Sequence, residues 1–134
     1  MGYQAAFIEI APDSTATLGS EPPQRGERRS VARIEYDLIF AAPYAHTEED
    51  VLYAVHVERS RDDGQPALSR EEFFSKPHAC MRASALPKRY GWGVHFDSDG
   101  RTALVSVADE RYRKLASDPH LSHLFAMRSS RAST

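Results

Sequence analysis

Two adjacent cations and two aromatic rings stand close together at residues 88–92, which read Lys-Arg-Tyr-Gly-Trp. Lysine and arginine bind phosphates and carboxylates, and tyrosine adds a hydroxyl group and a ring on which a planar group can stack. Arg82 lies shortly before this cationic loop and His95 lies shortly after it, so both could share one surface with it. We therefore predict an anion-binding site formed by Arg82, Lys88, Arg89, Tyr90, Trp92 and His95.

A second basic group, Arg25, Arg28 and Arg29, lies far upstream and could join the cationic loop in space. The predicted ligand is a small anionic molecule or an acidic protein surface. The simpler structural alternative is that the two cations of the loop are solvated while Tyr90 and Trp92 anchor it to the core, as is common where strands meet loops. Sequence alone leaves both interpretations open.

The single cysteine, Cys80, is a candidate nucleophile with His95 or His78 as its base. Such a pair needs a site that favours the thiolate and side chains within hydrogen-bond reach of each other. An isolated cysteine in a strand is more commonly a small buried apolar residue. An enzyme that uses Cys80, His95 or Tyr90 in nucleophilic or acid–base chemistry is thus the competing hypothesis, and we assign no catalytic residue.

Neither a metal nor a cofactor is expected. His120 and His123 are three residues apart after Asp118, but two histidines without a firm third ligand make a weak metal site. The acidic residues 48–50 resemble a helix-capping turn with a solvated face more than an acid–base cluster. The chain also lacks a phosphate-binding glycine loop and a nucleophile elbow.

A β-hairpin is predicted directly after the cationic loop. Apolar residues alternate with others over 92–96 and over 103–107, and Asp99-Gly100 between them is a strong two-residue turn signal. A two-residue turn would pair Phe96 with Ala103, Val94 with Val105 and Trp92 with Val107. A three-residue loop would instead pair Phe96 with Thr102 and Trp92 with Ser106. We favour the two-residue turn because it places apolar residues opposite one another, with His95 on the face opposite Trp92.

Residues 30–42 fit two structures. Ala32, Ile34 and Leu38 belong to an alternation typical of a strand, whereas a capping Ser30 and a terminating Pro43 suit a helix. We favour the helix, because a strand would place Ile39 on its polar face.

The remaining chain is divided by turn and capping signals. Further strands are predicted at 5–10, 51–59 and 78–84. Further helices are predicted at 69–76, at 109–117 and from Asp118 onward, where Leu121, Leu124 and Phe125 would form the buried stripe. Residues 14–29 are a long loop, and the tail 128–134 is expected to fray. The predicted fold is a single α+β domain spanning 1–134, with a mainly antiparallel sheet of about five strands and helices packed on one face.

Composition excludes several classes of protein. The chain has 134 residues, 41% of them hydrophobic and 27% charged, which is typical of an ordinary globular domain. A net charge of −2 argues against a nucleic-acid partner. No apolar run is long enough to cross a membrane, and no secretory leader is evident. With one cysteine and no internal disulfide, a cytoplasmic location is expected.

Six segments stand out along the chain: AFIEIAPDS, PPQRGER, TEEDVLYAV, EEFFSK, CMRASALPKRYGWGVHFD and AMRSSR. Together they resemble a family of small bacterial proteins classed as a domain of unknown function, whose most specific mark is KRYGWG. The resemblance covers nearly the whole chain and implies a single α+β domain without implying any activity.

The favoured hypothesis is therefore a small cytoplasmic binding module that uses the cationic loop. An enzyme is the alternative, and a structural or assembly role is a third possibility. Oligomeric state is not predicted.

Overall fold

A four-stranded mixed sheet lies at the centre of the structure, a computed structural model that describes residues 2–129. The spatial order is β3–β2–β1–β4, where the strands are β1 Ala6–Glu9, β2 Trp92–Phe96, β3 Thr102–Ser106 and β4 Ser122–Phe125. β2 is antiparallel to both β1 and β3, whereas β4 is parallel to β1. The predicted α+β class is confirmed, but the sheet has four strands rather than about five, and one pair is parallel.

Five α-helices and one 3₁₀ turn surround this sheet within residues 2–129. They are α1 Val31–Ala41, α2 Glu48–Asp62, α3 Arg70–Phe74, α4 Ala85–Arg89, α5 Glu110–Ala116 and the 3₁₀ turn Met81–Ala83.

Helices cover both faces of the sheet. On one face, Ile8 and Val94 share a buried cluster with Ile34 of α1 and Val51 of α2. On the other face, Phe7 packs against Tyr112 of α5, edge to face with ring centroids 5.0 Å apart. The prediction that helices pack on one face only is wrong, because α5 buries the second face.

The hairpin adopts the register that we did not favour. The observed pairs are Phe96–Thr102, Val94–Leu104 and Trp92–Ser106. Asp97 N–H donates to the Arg101 carbonyl, which closes a three-residue loop in which Gly100 has φ +80°. The Asp97 carboxylate also accepts from the backbone of Asp99 and Arg101. Since both faces are buried, apolar alternation could not select the register, and the Asp97 side chain with a left-handed glycine selected it instead.

The helix predicted for 30–42 is confirmed as α1, with the Ser30 hydroxyl accepting from Arg33 N–H. The strand predicted for 51–59 is wrong, since those residues lie in α2. Thr47 and Asp50 form a reciprocal capping box that begins α2, and Val51 and Val55, four residues apart, form its buried stripe. Tertiary packing here overrides the strand preference of β-branched residues.

Two further predictions are wrong. Residues 78–84 are not a strand but an extended segment that ends in the 3₁₀ turn, and Asp118 begins a turn rather than a helix. The residues after that turn form β4, whose Ser122 N–H donates to the Ala5 carbonyl. The free edge of β1 offers hydrogen-bond partners to these residues, so they form a strand instead of the predicted helix. As a result, Phe125 is exposed rather than buried. Of the tail expected to fray, residues 130–134 lie outside the described part.

Candidate functional site

An open cavity of about 320 Å³ lies between α1, α2, α3 and the segment 78–84. Its walls are largely apolar, and its polar groups come from Glu35, His56, His78, Cys80 and Ser84. We call this cavity the Glu35 pocket. The helix α1 places Val31 and Glu35 on it one turn apart, and α2 contributes Leu52, Val55 and His56 through the same spacing.

Glu35 is the most unusual group in the pocket, since its side chain is ionisable and the residue is only 4% exposed. The Ser84 hydroxyl donates to Oε1 at 2.8 Å. Among the described residues, no cation forms an ion pair with this carboxyl. Burial raises the pKa of Glu35 to about 7, and the hydrogen bond from Ser84 opposes that rise. The pocket therefore contains a carboxyl group that can gain or lose a proton near neutral pH.

A second buried carboxyl, Glu48, holds the same segment from the other helix. Its Oε2 accepts from the backbone N–H of Met81 at 2.9 Å, and burial raises its pKa. The Ser84 hydroxyl, which donates to Glu35, also accepts from Leu86 N–H at the start of α4. Residues 81–84 are thus fixed by one carboxyl from α1 and one from α2, which positions the segment that carries Cys80.

Cys80 is half-buried and lines the pocket. Its sulfur accepts a hydrogen bond from the Tyr3 hydroxyl at 3.2 Å, and burial together with this bond raises the pKa of Tyr3 to about 12. Of the two bases considered for this thiol, His78 lines the same pocket. His95 does not, since it lies on the α5 face of the sheet, opposite Phe7 of β1.

His56 and His78 both stack on the Phe73 ring, with centroid distances of 4.8 and 3.8 Å. His78 Nε2 donates to the Phe73 carbonyl, whereas His56 Nε2 accepts from Leu68 N–H. These bonds orient both rings along one wall of the pocket. Across residues 2–129, no group of three or more potential ligands is arranged to hold a metal ion.

Trp92, predicted to bind a ligand, is 8% exposed and packs against α1. Its indole N–H donates to the Ser20 carbonyl at 2.8 Å, and its ring contacts Tyr36 and Phe40. A Cβ on Gly19 would lie 2.8 Å from the indole, so the long loop approaches the ring as closely as glycine permits. Trp92 therefore anchors residues 14–29 to the sheet, a contact that neither interpretation of the sequence included.

The segment predicted as a cationic loop is not a loop throughout, since Lys88 and Arg89 form the last turn of α4. Lys88 is half-buried and Arg89 is exposed. Neither side chain makes a hydrogen bond or an ion pair with another described residue. Tyr90 lines a separate cavity of about 250 Å³ together with Arg25 and Arg28. The upstream arginines thus meet the loop through Tyr90. We call this second cavity the Tyr90 cavity.

Two of the upstream arginines are already paired with acids. Arg28 binds Asp63 through Nε and Nη2, and Arg29 Nη2 lies 2.5 Å from a Glu58 oxygen. Their charge is partly neutralised, so a ligand in the Tyr90 cavity would compete with Asp63 for Arg28.

Arg82 and His95 each bond to partners outside the cationic loop. Arg82 Nε donates to the Phe125 carbonyl at the end of β4. His95 Nδ1 and the Tyr44 hydroxyl are 2.7 Å apart, and Arg111 contacts that hydroxyl. Burial, assisted by Arg111, lowers the pKa of His95. The six residues predicted as one site are therefore not gathered around one cavity.

Glu35 and Ser84 were missed from the sequence, and Glu48 was considered only as part of the acidic capping turn at 48–50. A usable signal for Glu35 existed, since it lies four residues from both Val31 and Ile39 and hence on the apolar side of the predicted helix. For Glu48 the capping position gave a complete local explanation, so nothing indicated that the carboxyl is buried.

Fold and site together define a small mixed α+β domain with a protonatable carboxyl in an apolar pocket. The chain belongs to DUF6157, a family of unknown function, whose model matches residues 1–132. The predicted membership in a domain-of-unknown-function family is confirmed. No curated protein and no solved structure matched the chain. Among the helices of residues 2–129, none has the length and apolar character needed to cross a membrane.

Proposed function

We propose that this protein is a small-molecule binding protein and that its site is the Glu35 pocket. The observation that carries the proposal is a carboxyl group at 4% exposure in an apolar cavity, with one hydroxyl donor and no cationic partner among the described residues. Burying such a group is costly unless something compensates it. Ionisable groups shifted by burial inside a cleft are concentrated at functional sites.

The shape of the pocket supports the same function. Its volume of about 320 Å³ is at the small end of the range for ligand cavities, roughly 300–1,000 Å³. Apolar walls with a few convergent polar groups are typical of such sites. Val31 and Ala79 lie at the exposed rim, so a ligand can enter without displacing the core.

Filling the rim tests this proposal. Val31 is 44% exposed, so Val31→Trp should occupy the cavity with little cost to the core. Leu18→Trp is the matched control, because Leu18 is 56% exposed and lies outside the pocket lining. With benzylamine and benzyl alcohol as probes, we expect amide NMR shifts at residues 78–84 in the wild type and the Leu18 variant, but not in the Val31 variant. Shifts that persist after Val31→Trp would contradict the proposal.

Anion binding at the cationic loop is a second candidate, favoured by the meeting of Tyr90 with Arg25 and Arg28 around the Tyr90 cavity. Its ligand would be a small anion or an acidic protein surface. Titration with inorganic phosphate should shift the amides around Tyr90, and Arg25→Glu should abolish the shifts. Charge reversal at both Lys88 and Arg89 distinguishes a site that includes the loop from one confined to the cavity.

An enzyme remains the alternative hypothesis, and the presence of Cys80 and Glu35 in one pocket supports it. A carboxyl that titrates near neutral pH suits general acid–base catalysis. Iodoacetamide should then alkylate Cys80 in the folded protein, and Val31→Trp should slow the reaction whereas Leu18→Trp should not. Alkylation only after unfolding would identify Cys80 as a packing residue.

The cytoplasmic location and the single-domain organisation stay predictions. The single cysteine supports the first, because reducing compartments disfavour disulfides.

A further inference from the structure

We propose that the Glu35 pocket selects a small, largely apolar amine, whose ammonium group pairs with the Glu35 carboxylate. This inference rests on the proposed function, since it names the class of ligand for the same pocket.

The unbalanced charge of the pocket is the first argument. Apolar side chains from α1, α2 and α3 surround Glu35, and no Lys or Arg is among the residues that line the cavity. In such surroundings a carboxylate attracts a cation far more strongly than it does in water. A ligand ammonium would supply the missing positive charge, whereas a ligand carboxylate would be repelled.

The hydrogen bonding of Glu35 is the second argument. Ser84 holds Oε1 at 2.8 Å, which fixes the orientation of the carboxyl group. No hydrogen bond joins Oε2 to any side chain of residues 2–129, so this oxygen can accept from a ligand N–H. An ionised carboxylate can accept several hydrogen bonds, and charge-assisted bonds to ammonium groups are the strong ones.

The other titratable groups facing Glu35 are few. α2 contributes His56, and segment 78–84 contributes His78 and Cys80, while α3 contributes the uncharged Phe73. His56 Nε2 accepts from Leu68 N–H, and His78 Nε2 donates to the Phe73 carbonyl. Because His78 lines the same cavity as Glu35, the experiment must separate the contributions of these two residues.

The test compares benzylamine with benzyl alcohol, which has the same shape without the charge. Because the pKa of Glu35 is about 7, its ionised fraction rises about tenfold between about pH 6 and pH 8. We expect benzylamine to bind about tenfold more tightly at the higher pH. Benzyl alcohol should not gain affinity. Glu35→Gln, which can still accept from Ser84, should remove the pH dependence of benzylamine binding, whereas His78→Gln should retain it.

A proton measurement on the wild type keeps the test independent of any variant. At about pH 6, benzylamine binding should release about one proton per complex as Glu35 ionises, and calorimetry in buffers of different ionisation enthalpy measures this release. If both probes bind alike at both pH values and no proton is released, the amine inference is wrong while the pocket stays a binding site. If neither probe shifts the amide NMR signals of residues 78–84, the proposed function itself is wrong.

Discussion

The cationic loop and the Glu35 pocket differ in how each uses its polar groups. In the cationic loop, Lys88 is half-buried and Arg89 is exposed, and neither has a bonding partner among the described residues, while Trp92 anchors residues 14–29. In the pocket, a carboxyl lies among apolar side chains with a cavity in front of it. Exposed charges interact weakly because water screens them, whereas a buried charge must be compensated.

The cationic loop was identified because its cations and aromatic residues are adjacent in the sequence. That adjacency does not show where a cavity lies. The cationic loop is conspicuous because its cations and rings are contiguous. Trp92, however, is buried in the core, and Tyr90 packs against the same cluster. The pocket is assembled from residues 31–84, with no contiguous motif. Four variants, from the largest expected effect to the smallest, test this contrast between the two regions.

Trp92→Ala should show that the loop aromatic is structural. Removing the indole leaves a cavity beside α1 and releases the Ser20 carbonyl, so the free energy of unfolding should fall by about 3–5 kcal/mol. Urea denaturation measures the change, with Lys88→Ala as the control in the same loop. A loss of about 0.5 kcal/mol or less, as for a surface site, would return Trp92 to the list of ligand-binding candidates.

Glu35→Gln should change how stability depends on pH. The pKa of Glu35 is raised from 4.5 to about 7 on folding, so the folded protein holds an extra proton between these values and loses stability as pH rises through them. The Gln variant has no such titrating group. Its free energy of unfolding should therefore rise by about 3 kcal/mol relative to that of the wild type between about pH 4 and pH 8. Urea denaturation across that range measures the difference.

Glu72 provides a control for the direction in which stability changes with pH, because its pKa shifts in the opposite direction to that of Glu35. The backbone and hydroxyl of Ser69 lower the pKa of Glu72, so ionised Glu72 stabilises the fold as pH rises. Glu72→Gln should therefore lose stability relative to wild type as pH increases. Equal slopes for the two variants would mean that Glu35 is not the group responsible.

Ser84→Ala should leave the Glu35 carboxyl without its hydroxyl donor and Leu86 N–H without its cap. We expect the free energy of unfolding to fall by about 1–3 kcal/mol. The pKa of Glu35 should rise further, because the hydrogen bond from Ser84 lowers that pKa in the wild type. Carboxyl NMR titration measures the pKa. Ser75→Ala, at an exposed hydroxyl that donates to the Glu72 carbonyl, is the matched control. An unchanged Glu35 titration would mean that Ser84 does not tune this carboxyl.

Charge reversal at Lys88 and Arg89 should have the smallest effect. Neither side chain forms a hydrogen bond or an ion pair with another residue within 2–129. The free energy of unfolding of the double variant should therefore stay within about 0.5 kcal/mol of the wild-type value. Benzylamine affinity in the Glu35 pocket should not change either. A large destabilisation would show that these cations hold α4 in place, and a change in affinity would show that the two regions are coupled.

Much of the candidate site could have been found from the sequence, but not its assembly. Cys80 was identified as a reactive type, and the helix that carries Glu35 was predicted correctly. The strand predicted for 51–59 misplaced His56, and the strand predicted for 78–84 misplaced His78 and Ser84. Without α2 as a helix, the wall opposite Glu35 does not exist, so the pocket could not be inferred.

Local chemistry determined the features that depend on a few neighbouring residues. Ser30, Thr47, Ser69 and Asp109 cap the starts of four helices because their side chains satisfy backbone N–H groups that a helix leaves without partners. The sequence also determined the first strand, the position of the hairpin and the α+β class. These follow from capping and from apolar patterning.

Tertiary structure alone decided the rest. The parallel pairing of β4 with β1 depends on an edge that distant residues leave open. The burial of Glu35 depends on α2 and segment 78–84 closing over it. Each of these features is set by contacts between residues far apart in the chain, which local patterns do not encode.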